Sequence, residues 1–160
     1  ITLEANPGTA EATRFAGYRA AGVNRLSLGA QSFSPSSLQA LGRIHSVDDI
    51  RRSFGAARGA GFDNINLDIM YGLPGQTAKQ VAHSIAFVHQ TGFRPFISEY
   101  SPIPGTAMWD AALQASPFPI ASEPLFHNNS LLPCQWDGCT MDDLHMLKRY
   151  ARNPEAKLTA

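Results

Sequence analysis

Apolar and polar positions alternate in three stretches of the chain. Leu26, Leu28 and Ala30 interleave with Arg25, Ser27, Gly29 and Gln31. Ile65, Leu67 and Ile69 interleave with Asn64, Asn66, Asp68 and Met70, and Ile1, Leu3 and Ala5 with Thr2, Glu4 and Asn6. A period of two marks strands with one apolar and one polar face. Between them the period lengthens to that of a helix. A unit recurs at each change: Ala21-Gly22-Val23 before Leu26, Ala60-Gly61-Phe62 before Ile65, and Thr91-Gly92-Phe93 before Phe96. Each glycine stands where a helix C-terminus favours a left-handed residue.

Helix starts agree with this spacing. Thr9, with Glu11 in the following turn, can cap one helix, and Ser34 precedes Pro35 at a first helical position. Ser46 opens another, Thr77-Ala78-Lys79-Gln80 has the form of a capping box, and Thr106 and Thr140 can open two more. The pattern predicts strands over 1–5, 24–30, 64–70 and 96–100. It predicts helices over 10–20, 35–41, 47–59, 78–90, 107–114 and 141–152, with loop over the proline-bearing 115–139. Strands alternating with helices give an α/β fold with a parallel sheet, helices on one side. A whole (β/α)₈ barrel takes about 250 residues, so 160 residues suit a small sheet or an incomplete barrel.

The polar strand faces carry Glu4, Ser27, Gln31, Asn66 and Asp68. A filled barrel interior is usually branched aliphatic, so a polar face predicts a lumen that holds a polar ligand. Gln31 and Asp68 close their strands and Glu4 lies near such an end, the end at which parallel α/β folds bind ligands. In the loop after the third strand, Pro74-Gly75 suits a type II turn, Gly72 permits close backbone approach, and the helix from Thr77 offers free amides to an anion.

Composition narrows the classes. Thirteen basic and thirteen acidic residues cancel, eight and six in the first eighty residues and five and seven in the rest. That excludes the basic excess of a nucleic-acid binder. No apolar run reaches the ~18 residues of a membrane span, and two cysteines make no disulfide scaffold, so a cytoplasmic location is expected. The spacing Cys134-x₄-Cys139-x₅-His145, with His127 upstream, is looser than paired zinc ligands. No metal site is expected there. His83 and His89 are expected on a helix surface, and Phe54, Phe87 and Trp109 in the core.

Four segments carry a resemblance: Ile1-Thr2-Leu3-Glu4-Ala5-Asn6-Pro7, Asn24 to Phe33, Leu41-Gly42-Arg43-Ile44-His45, and Asn66-Leu67-Asp68-Ile69-Met70-Tyr71-Gly72-Leu73-Pro74-Gly75-Gln76-Thr77. In order and spacing they resemble the radical S-adenosylmethionine family of oxygen-independent coproporphyrinogen III oxidases and their haem-chaperone relatives, over residues 1–80. The resemblance implies the C-terminal part of a partial (β/α)₆ barrel, with S-adenosylmethionine across its mouth beside a [4Fe–4S] cluster. Position by position, it implies cofactor contacts at Glu4, Gln31, Arg43 and Asp68, and a backbone contact near Ser101. The family's Cys-x₃-Cys-x₂-Cys loop has no counterpart among the two cysteines. The cluster ligands and first strands are therefore expected upstream, in a longer parent that begins before Ile1.

Residues 96–134, with Pro102-Ile103-Pro104-Gly105-Thr106 and Glu123-Pro124-Leu125-Phe126-His127, more resemble cobalamin-associated radical proteins. The expected organisation is a partial barrel over 1–114 and a loop-rich extension with a terminal helix over 115–160. The leading expectation is a fragment of a coproporphyrinogen oxidase-like enzyme that forms a 5′-deoxyadenosyl radical in the intact parent, this chain alone being inactive. Its partners would be a small-molecule substrate, porphyrinogen or haem, and the N-terminal barrel segment, with no nucleic acid and no membrane span. The alternatives are a haem-trafficking chaperone without oxidase activity, a cobalamin-associated enzyme, or an unrelated α/β binding domain. No catalytic residue is assigned.

Overall fold

In the computed structural model, residues 1–8, 14–93, 95–136 and 139–156 are described, without the side chain of residue 129. Four strands, β1 (Thr2–Ala5), β2 (Arg25–Gln31), β3 (Ile65–Tyr71) and β4 (Pro95–Glu99), form one sheet in the order β1-β2-β3-β4. Every pairing is parallel, with Glu4 opposite Ser27, Ser27 opposite Asn66, Asp68 opposite Phe96 and Met70 opposite Ser98. Helices α1 (Phe15–Ala20), α2 (Pro35–Ala40), α3 (Val47–Gly59), α4 (Ala78–Gln90), α5 (Trp109–Ala115) and α6 (Met141–Arg152) join and follow the strands. The predicted cap at Thr9 with Glu11, and positions 10–13 of the first predicted helix, lie outside the described residues.

Three helices begin as read. Ser46, Thr77 and Thr140 each accept from the amide three residues on, and the Asp49, Gln80 and Asp143 side chains return the bond. Two starts differ. Ser34 occupies the cap position of α2 without a side-chain bond to it, the hydroxyl lying 2.9 Å from that of Ser36. Thr106 turns its hydroxyl back to the Ile103 carbonyl at 2.8 Å, so α5 begins only at Trp109.

The apolar strand faces are buried under the helices. Leu26, Leu28, Ala30, Ile65, Leu67 and Ile69 form one core with Ile50 and Ala57 of α3, Val81, Ile85 and Val88 of α4, and Leu144 and Leu147 of α6. Burying each large aliphatic side chain contributes about 1.5–3 kcal/mol. A second core under the sheet's C-terminal end gathers Leu73, Tyr100, Met108, Ala112, Ile120 and Cys134. Phe54, Phe87 and Trp109, expected in the core, are only partly buried against it. His89 corrects the surface reading. Half-buried on α4, it meets the Ala151 carbonyl of α6 at 3.1 Å and the Tyr150 ring edge-on, whereas His83 is exposed. No helix among the described residues is long and apolar enough to cross a membrane.

Candidate functional site

The helix-free face of the sheet is where the polar strand positions meet. Ser27 Oγ donates to Asp68 Oδ2 at 2.9 Å, and Asn66 Nδ2 donates to Asp68 Oδ1 at 2.8 Å and to Ser27 Oγ at 3.0 Å. Parallel pairing brings Ser27 beside Asn66, and the i, i+2 spacing of a strand brings Asn66 beside Asp68. The carboxylate is thus held rigid by two donors on a half-buried face. Glu4 stands exposed on β1, in register with Ser27.

At the C-terminal end of β2 the ladder slips between Leu28 and Gln31, and Gln31 takes a left-handed backbone, φ 64°. Its amide folds back over Gly29: a Cβ there would stand 2.8 Å from Gln31 Nε2 and 3.2 Å from Asn6 Oδ1. Arg43 Nη1, from the loop after α2, donates to the same Asn6 oxygen at 3.4 Å. Asn6 therefore joins the end of β1 to Arg43, and its side chain and that of Gln31 both flank Gly29. It was not singled out in the sequence, although alternation places it on the face of Glu4.

Beside this cluster lies a cleft of about 390 Å³, lined among others by Arg43, Met70, Tyr100, Ser101, Ile103 and Met108. The predicted set therefore divides. Arg43 and Ser101 share the cleft, while Glu4, Gln31 and Asp68 lie on or beside the sheet face and do not line it. Met70, two residues beyond Asp68, connects the two regions. The Ser101 hydroxyl is turned away to the His127 carbonyl, which leaves the cleft the backbone and not the side-chain oxygen.

One buried amide shapes the mouth. Gln76 Oε1 accepts from the Gly72 and Leu73 amides at 3.1 and 3.4 Å, and its Nε2 donates to the Met70 carbonyl at 3.2 Å. Its own carbonyl accepts from Trp136 Nε1 at 2.8 Å. The type II turn follows the sequence reading, with Gly75 at φ 76° and the Gln76 amide on the Leu73 carbonyl at 2.8 Å. Two readings of this loop do not hold. The bare side of Gly72 is taken by Leu132, whose Cδ1 would lie 3.0 Å from an added Cβ, so a side chain of the C-terminal segment and not a ligand makes the close approach. The start of α4 is closed by its own capping box, Gln80 on Thr77, so the expected open amide site is in part occupied.

Cys134 and Cys139 are free and fully buried, and burial pushes both thiols up to about 11. Among the described residues no three His, Cys, Asp or Glu side chains could hold a metal ion. Two protonated, enclosed thiols do not fit a cluster bound through three thiolates.

Residues 1–88 match the sequence profile of the Radical SAM superfamily. The heme chaperone HemW of Escherichia coli is 52% identical over 80 residues, half of this chain and 21% of that protein. The mouse radical S-adenosyl methionine domain-containing protein 1, mitochondrial, is 49% identical over 76 residues, 48% of this chain and 17% of the relative. The chain thus spans about a fifth of the length of the curated relatives it matches. Among solved structures, coproporphyrinogen III oxidase (HemN) from Escherichia coli superposes with a TM-score of 0.69 at 24% identity, over 98% of this chain and 32% of that one. The radical S-adenosylmethionine methyltransferase TsrM from Kitasatospora setae gives 0.59 at 18% identity, over 74% and 24%. These likenesses establish the fold as part of a radical SAM, TIM-like α/β barrel.

Proposed function

The chain belongs to the Radical SAM superfamily, and from that premise we propose that it carries the S-adenosylmethionine-binding part of a protein that handles a tetrapyrrole. The observation that carries this reading is a rigidly held Asp68 on the polar sheet face, in the middle of β3 and not at its end as the sequence suggested, with Asn6, Gln31 and Arg43 and the Arg43–Ser101 cleft beyond it at the C-terminal end of the sheet. That donor and acceptor set suits the cofactor. Asp68 and Glu4 would accept from ribose hydroxyls and offset the sulfonium charge. Gln31 would hold a further polar group, the planar fork of Arg43 would take the amino-acid carboxylate, and the Ser101 backbone would complete the cleft. When bound, the cofactor supplies one-electron radical chemistry.

The residues of this chain bind and orient. Ser27 and Asn66 keep the Asp68 oxygens fixed before any ligand arrives, which lowers the ordering cost of binding. Phe96 and Met70 add apolar surface to the same sheet face, by register and alternation. The [4Fe–4S] cluster finds no ligand set among the described residues. In this reading residues 1–114 bind the cofactor; of the extension over 115–160, Phe118, Ile120, Phe126 and Cys134 build the second core and α6 packs on the first, and the protein works in the cytoplasm.

Oxidation of a porphyrinogen and trafficking of haem use the same site in this reading. The similarity to a haem chaperone over 80 residues gives trafficking a specific support that the fold likeness to the oxidase does not exceed. The full-length protein, loaded with S-adenosylmethionine, is titrated with haem and separately incubated with coproporphyrinogen III. Stable stoichiometric haem uptake without porphyrinogen conversion supports trafficking, and conversion supports the oxidase. The absence of both haem uptake and porphyrinogen conversion would contradict the tetrapyrrole reading.

A further inference from the structure

A second, larger cleft of about 660 Å³ lies where α2 leads into α3, touching the site above only through Gly42 and Arg43. Phe33, Leu38 and Val47 give it apolar walls, and the Ile44 side chain stands wholly in solvent on its connecting loop. Arg51 lines it and is held in place, its Nη1 3.2 Å from Asp48 and its guanidinium 5.2 Å from the Phe87 ring centroid. Asp48 is the one carboxylate in the lining, against Arg43 and Arg51, and burial lowers the pKa of His45, which keeps that imidazole neutral at pH 7. The cleft therefore carries one net positive charge over an apolar floor. His45 is itself 6% exposed, and its Nε2 has no hydrogen-bond partner, an unusual state for a buried polar atom and one that marks the wall as unfinished.

We infer that this cleft is a separate binding site for a small amphipathic carboxylate. The carboxylate sits on Arg51, while Arg43, on the border shared with the first cleft, adds only to the positive field, and the hydrocarbon lies along Phe33, Leu38, Val47 and Ile44. The volume falls within the ~300–1,000 Å³ of small-molecule sites, which combine apolar walls with a few placed polar groups. An uncharged ligand would leave the net positive charge of the lining unused. A purely ionic one would leave Ile44 and the apolar floor bare.

Calorimetric titration of the full-length protein with octanoate, and in parallel with 1-octanol, tests the site. Octanoate is expected to bind saturably at one equivalent, and 1-octanol about tenfold more weakly or not at all. Ile44→Asp removes apolar surface and adds a like charge, and Arg51→Gln removes the cation; each is expected to weaken octanoate about tenfold. Both positions are solvent-exposed, so the variants should fold, and unchanged urea midpoints check that they do. No saturable octanoate binding, equal binding of the alcohol, or unaltered affinity in both folded variants overturns the inference.

Discussion

Gly29→Ala separates the binding role proposed for the Gln31 cluster from the stability of the sheet. The added methyl would stand 2.8 Å from Gln31 Nε2 and 3.2 Å from Asn6 Oδ1, so both amides must move. Gln31 Nε2 is the far end of a flexible side chain, and Gly29 does not have a positive φ, so the backbone is not strained. Replacing a strand glycine recovers about 0.5–1 kcal/mol of chain entropy, against a displacement cost of similar size. Folding free energy should therefore change by less than about 1 kcal/mol. Binding should suffer more. Displacing the Gln31 amide forfeits about 0.5–1.5 kcal/mol, and disturbing Asn6 also loosens Arg43. The expected result is roughly tenfold weaker S-adenosylmethionine binding by calorimetry at a nearly unchanged urea midpoint. Gly55→Ala on α3 is the control: an added Cβ meets nothing within 4 Å, and the change should stabilise by about 0.5–1 kcal/mol without altering binding. Full affinity in a folded Gly29→Ala variant would refute the reasoning.

Tyr71 is fully buried and its hydroxyl donates to the Thr140 carbonyl at 2.9 Å; Tyr71→Phe should cost about 1 kcal/mol in urea unfolding. Asp49 is held down to about 2, chiefly by the Ser46 amide. Its contribution is present above the unfolded carboxylate range near 4 and is lost as pH falls towards 2. Ser46→Ala removes the hydroxyl donor and keeps the amide, so it should flatten the stability–pH curve in that window only in part, measured by urea midpoints. With both thiols pushed up to about 11 inside the protein, Cys134 and Cys139 should resist a thiol reagent at pH 8 in the native state and react together on unfolding; rapid native labelling of both would contradict their enclosure.

What the sequence made legible was local. Alternation located three strands and the recurring glycine unit the fourth, and the capping boxes at Ser46, Thr77 and Thr140 put helix starts at the right residue, because partner and cap lie within one turn. Features set by distant contacts were not legible. Asn6 matters because Arg43, 37 residues on, bonds it. Gly72 looked like a ligand approach because nothing local announces Leu132, 60 positions later. His89 reads as a surface histidine until α6 covers it. Gln31 sits on the expected face, but its left-handed backbone comes from the register slip against β3, which alternation alone does not encode. The Gln76 amide ties three backbone positions at the mouth, a role that follows from the turned backbone and not from any local pattern.

The central claim is that the helix-free sheet face of this chain binds S-adenosylmethionine through Asp68. Equilibrium dialysis of radiolabelled S-adenosylmethionine against the protein and its Asp68→Asn variant tests it most directly. The substitution keeps the shape of the side chain and one acceptor oxygen, for Asn66, lets the new amide donate to the Ser27 hydroxyl, and removes the charge. The account predicts one saturable site in the parent protein and at least about tenfold weaker binding in the folded variant. Absence of a saturable site, or equal affinity in the two proteins, would contradict it.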